Sequence, residues 1–168
     1  MKYVLLFFCL IITGSCIPVK SAPRIGNYKI VKGKQFEKGL PERNIFVFED
    51  KQDVNAFYQF IDEKFQLGNK QVMDDVPFTV NKHQYFFSFY EVDKKSTTID
   101  LFPFLVSRLT KSGEEDSPEI RQEDFYYIAI EVYSDLENDC LDMAALSRTP
   151  VLNYLRQLKD EYQNLQEH

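Results

Sequence analysis

Gln84-Tyr85-Phe86-Phe87-Ser88-Phe89-Tyr90-Glu91-Val92 is the stretch on which the fold of this chain turns. It is dense in aromatic residues and free of glycine and proline, which gives it strong β character. Side chains alternate along a strand. Tyr85, Phe87 and Phe89 therefore share one face, and Phe86, Tyr90 and Val92 the other. With aromatic residues on both faces, one face is expected to pack under helices, and the other to be covered by loops, to face a partner or to line a groove.

Working outward, Asp93-Lys94-Lys95-Ser96 reads as a polar turn, and Thr97–Phe102 as a returning strand closed by Pro103. The stretch Ser107–Asp124 reads as a loop. Phe125–Ser134 is a further strand, with Tyr126, Ile128, Ile130 and Val132 on one side and Tyr127, Ala129 and Tyr133 opposite. Asn27–Val31 and Asn44–Phe48 complete the strands, with Lys32-Gly33-Lys34 as a turn between them.

Two segments change to helical spacing. Asp50 is placed to cap a helix carrying Val54, Phe57, Ile61 and Phe65 on one face, widened by Tyr58 and stopped at Gly68. Thr149 and Pro150 open a second helix, with Val151, Leu155, Leu158, Tyr162 and Leu165 along one stripe. That stripe lasts about two heptads, whereas a coiled coil needs at least three to four, so packing across the sheet is expected. The expected fold class is α+β: a mainly antiparallel sheet of about five strands with two helices packed on one face, in a single globular domain over 27–168.

The chain has 168 residues, 44% hydrophobic and 27% charged, enough for one domain with its own core. Its net charge of −6 argues against a nucleic-acid partner. With two histidines and three cysteines, no H-E-x-x-H, C-x-x-C, G-x-S-x-G or phosphate-cradling glycine motif occurs. No cofactor, metal or catalytic residue is expected. His83 reads as a solvated residue preceding a strand. Asp74-Asp75, Glu114-Glu115-Asp116 and Glu137/Asp139/Asp142 read as solvated acidic turns, and Lys29, Lys32, Lys34 and Lys38 as a solvated strand edge. The compositional bias is aromatic: 15 Phe and 10 Tyr without Trp. Tyrosine suits interfaces because its ring is apolar and its hydroxyl tolerates water. Tyr85, Phe87, Phe89, Tyr127 and Tyr133 are the candidate aromatic binding face.

The N-terminus carries a different signal. Lys2 precedes an apolar run from Tyr3 to Ile12, too short for the ~20 residues of a membrane-spanning helix but the size of a signal-peptide core. Thr13, Gly14 and Ser15 then lead to Cys16. Over residues 1–16 the chain resembles the bacterial lipoprotein class, in which small residues end in a cysteine that is diacylated and becomes the new N-terminus. Thr13 stands where that class usually has leucine. The resemblance implies a signal peptide over 1–15, lipid attachment at Cys16 and a lipidated tether over 16–26, stiffened by Pro18 and Pro23. Two acyl chains suffice for stable anchoring. Ile17, rather than aspartate, follows the cysteine, and no acidic run does, which implies the outer membrane with the domain facing the periplasm.

With Cys9 in the signal peptide and Cys16 lipidated, Cys140 is a lone thiol whose neighbouring aspartates raise its pKa. The functional expectation is a membrane-tethered lipoprotein of the bacterial cell envelope. It would be a non-enzymatic interaction module with an envelope protein partner. The alternatives are a carrier or sensor of an apolar ligand, or a carboxylate-based hydrolase.

Overall fold

The computed structural model describes residues 16–51, 55–100 and 119–165. Among them the fold is α+β, a mainly antiparallel sheet of six strands with three helices. The strands are β1 (Cys16–Lys20), β2 (Lys29–Lys32), β3 (Asn44–Asp50), β4 (Val76–Val80), β5 (His83–Asp100) and β6 (Glu119–Tyr133). The helices are α1 (Gly33–Phe36), α2 (Ala56–Phe65) and α3 (Arg148–Leu165). The chain divides into two compact units: Met1–Pro23 with Asp93–Phe125, and Arg24–Val92 with Tyr126–His168.

In the larger unit the strands run β5-β6-β3-β2, with β4 added to β5. The antiparallel register sets Phe46 opposite Ile130 and Phe48 opposite Ile128. These residues join Phe87 and Phe89 in one buried cluster with α2 and α3. Phe57 of α2 meets Phe89 and Tyr162 of α3 edge-on, both at 4.9 Å between ring centroids. Phe65 packs on Phe87 at 5.6 Å. The helical stripe read from the sequence is thus core, with edge-to-face aromatic packing adding to apolar burial.

The other sheet face carries Val47, Ala129 and Tyr127, all fully buried. The segment between β2 and β3 closes over part of it, and Phe36 of α1 stands edge-on to Tyr127 at 5.3 Å. This return is tight at Gly33, where a Cβ would lie 2.3 Å from the Pro41 carbonyl oxygen. Only glycine fits there, and its N–H donates to the Arg43 carbonyl at 3.0 Å.

Several expectations change. No turn interrupts 93–96; β5 is a single strand of 18 residues. None of Asp93, Lys94, Lys95 and Ser96 has a positive φ, and polar side chains can leave an extended backbone for solvent. The partner of residues 97–100 is β1, with Ile17 opposite Ile99 and Pro18 opposite Thr98. Residues 16–20 are therefore strand rather than tether. Pro18 is tolerated because β1 is an edge strand, where a missing N–H need not break a ladder. β6 begins at Glu119, inside the expected loop, whose residues 107–118 lie outside the described ones. Like β1, β4 is absent from the expected five strands, two of which merge into β5. β4 turns into β5 through Asn81 (φ 52°) and Lys82 (φ 68°), the two-residue left-handed geometry that matches strand twist.

The helix bounds also move. Asp50 ends β3 and accepts the Tyr162 hydroxyl at 2.8 Å instead of capping α2. Val54 lies outside the described residues. Gln66 (φ 55°) closes α2 two residues before Gly68. In α3, Val151, Leu155, Leu158 and Tyr162 are buried as their spacing predicts, while Leu165 is exposed.

Candidate functional site

The five aromatic residues expected to form one binding face do not. Tyr85, Phe87 and Phe89 lie in the helix-side core cluster. Tyr127 is fully buried on the opposite sheet face, and Tyr133, further along the same strand face, is half-buried. Helices cover one face and the segment around α1 covers part of the other, so these rings are spent on the fold. Cys16, the expected lipid site, is the first residue of β1, opposite Asp100.

Behind Tyr133, a polar cluster joins β5 and β6 to the residues just before β3 and β4. The Glu131 carboxylate is buried yet satisfied: Arg43 Nη1 donates to it at 3.1 Å and the Tyr90 hydroxyl at 2.7 Å. The Arg43 guanidinium also lies 4.8 Å from the Tyr133 ring centroid, and the Tyr133 hydroxyl donates to Asp75. Burial and these carboxylates raise the phenol pKa values of Tyr90 and Tyr133, so both remain donors at neutral pH. A buried charge paired and bonded in this way is a structural solution.

The segment between β6 and α3 is built differently. The Ser134 hydroxyl accepts the Glu137 N–H at 3.1 Å, and the Ser134 N–H donates to the Glu137 carbonyl. The Glu137 carboxylate reaches across the loop, accepting Leu146 N–H at 2.8 Å, Ser147 N–H at 3.2 Å and the Ser147 hydroxyl. That last bond above all, helped by the two amides, holds its pKa below the usual range. Asp139 accepts Asn44 N–H and Nδ2 at 2.9 Å each, and Asp142 accepts Ala144 N–H at 3.0 Å. Cys140 and Leu141 anchor the middle in the core. Burial pushes the Cys140 thiol pKa up, with Glu137 and Asp139 adding to it, and its Sγ lies 3.7 Å from the Glu137 carbonyl oxygen.

These acidic residues are therefore the internal frame of the loop and not solvated turns. The frame holds three large apolar side chains outward. Leu136, Met143 and Leu146 are 89%, 89% and 94% exposed, more than any other large apolar residue described. Beside Leu136 and Leu146 lies an open cleft of about 670 Å³, lined by the turn between β4 and β5, the loop, and the start of α3. Its wall includes His83, Tyr85, Asp135, Leu136 and Leu146. His83 is exposed, as expected, but at the first residue of β5. Among the described residues no group of three or more His, Cys, Asp and Glu is placed to hold a metal ion.

The sequence reading singled out the acids of this loop but not its apolar residues. The available signal was three large apolar side chains, each set among acidic or small neighbours without strand or helix period. Scans of protein-family models, curated proteins and solved structures find no match to this chain.

Proposed function

We propose that this chain is a lipid-tethered, non-enzymatic interaction module of the bacterial cell envelope, and that it meets a protein partner through the loop between β6 and α3. The observation that carries the binding half is the contrast within that loop. The carboxylates of Glu137, Asp139 and Asp142 and the hydroxyls of Ser134 and Ser147 are consumed internally, while Leu136, Met143 and Leu146 face water. A rigid display of apolar side chains loses little conformational freedom on docking, so more of the contact energy appears as affinity. The tether half rests on the apolar run and Thr13-Gly14-Ser15-Cys16. An anchor on Cys16 would sit at the start of β1, leaving no slack chain between lipid and strand. Ile17 after the cysteine favours the outer membrane, with the domain in the periplasm.

A photoreactive amino acid placed at Met143 in cells tests the binding half. A discrete cross-linked species is expected there and not from the exposed α3 position Gln157. Equal labelling from both positions would remove the loop from the proposal. For the tether, Cys16→Ala should leave the precursor unprocessed or release it from membranes.

A further inference from the structure

We infer that the cleft beside this loop takes an extended peptide segment of the partner in which a lysine or arginine adjoins large apolar residues; this rests on the interaction-module reading above. Charge sets the first requirement. The cleft wall contains Asp135 and Glu137 and no lysine or arginine. Glu137 is turned inward onto Leu146 and Ser147. Asp135 is exposed and has no hydrogen-bond or ion-pair partner among the described residues. One carboxylate is therefore free to meet a cation, while the second adds negative potential behind it.

The apolar requirement comes from the same wall. Leu136 and Leu146 stand at the cleft almost fully exposed, and Pro150 of α3 adds a third apolar surface. Burying such a leucine against a partner side chain removes apolar surface from water, which favours docking. The side-chain amides of Asn81 and Gln84, also in the wall, have no partner among the described residues. They supply donors and acceptors for a peptide backbone. The volume lies within the roughly 300–1,000 Å³ of ligand clefts, but the site is open to solvent, which suits a segment laid across it better than an enclosed small molecule.

The test is a titration of the 15N-labelled protein with three capped peptides: alternating leucine and lysine, alternating leucine and glutamate, and alternating glycine and lysine. The leucine–lysine peptide is expected to shift the amides of residues 81–85 and 134–147 in a saturable way. The other two should shift them weakly or not at all. Asp135→Asn should weaken the leucine–lysine peptide by about fivefold, the scale of an exposed ion pair. Leu146→Ser should weaken it further while leaving the remaining spectrum in place. The inference is overturned if millimolar peptide leaves these amides unmoved, if the glutamate peptide binds equally well, or if Asp135→Asn changes nothing. The titration needs neither lipid nor envelope. A negative result beside normal membrane attachment overturns the cleft assignment alone, and a positive result on a chain that fails to attach overturns only the tether.

Discussion

The Glu137 carboxylate closes the loop between β6 and α3 onto Ser147, accepting both its backbone N–H at 3.2 Å and its hydroxyl. Ten positions separate the two residues, and the span contains Met143 and Leu146, two of the most exposed large apolar side chains among the described residues. Because the same carboxylate also holds Leu146 N–H, removing it frees three donors at once.

Glu137→Ala is therefore expected to loosen the loop more than it destabilises the domain. Hydrogen exchange at the amides of Leu146 and Ser147 should accelerate by about tenfold or more, corresponding to about 1.4 kcal/mol of local opening. Amides of β3 should keep their protection. Uniform acceleration across the sheet would mean that the loop is part of the global folding unit.

The same bonds give a pH dependence of known sign. Glu137 has a folded pKa lowered by the Ser147 hydroxyl bond first, and Asp142 one lowered by the Ala144 amide first. A carboxylate with a depressed folded pKa contributes stability that is fully present above its unfolded value, about 4.3 for Glu and 3.9 for Asp. That contribution is lost as pH falls through the folded value. The urea midpoint should accordingly drop as the pH falls below about 4. The double variant Glu137→Gln, Asp142→Asn should show a shallower drop over that window.

Phe57 touches Phe48, Phe60, Phe89 and Tyr162 and is fully buried. Phe57→Ala is expected to cost about 3–5 kcal/mol, the usual range for an aromatic removed from a packed core. Against a total stability of roughly 5–15 kcal/mol this is a large share. Equilibrium unfolding in urea measures it, and a loss under about 1 kcal/mol would mean the helix-side cluster is poorly packed.

Cys140 is fully buried, with burial as the main cause of its raised pKa. In the folded protein it should resist thiol reagents at neutral pH and react only as the chain unfolds. Prompt stoichiometric labelling without denaturant would show that the loop opens at Cys140.

The sequence was most legible where period and burial agree. Phe57, Ile61, Leu155 and Tyr162 repeat at helical spacing and are core; Ile128 and Ile130 alternate and are core. It was least legible where a polar run admits two backbones. Asp93-Lys94-Lys95-Ser96 looks like a turn, yet it continues as strand because β1 supplies a partner at Thr97–Asp100 that local sequence does not reveal. β4 was hidden by Pro77, which disfavours an interior strand, although Asn81 marks the turn that follows. At the candidate site the acids were visible but their destination was not: whether Glu137 meets water or Ser147 is decided by the path of the loop. The aromatic surplus pointed toward an interface and went instead into both covers of the sheet.

In the proposed tether, attachment to the membrane depends on Cys16. Mass spectrometry of the mature protein purified from membranes of its native cell tests it most directly, because trypsin should release the residues from Cys16 to Lys20 as one peptide. This peptide is expected to begin at Cys16 and to carry a diacylglyceryl group on its sulfur. A mature N-terminus at another residue, or an unmodified Cys16, would contradict it.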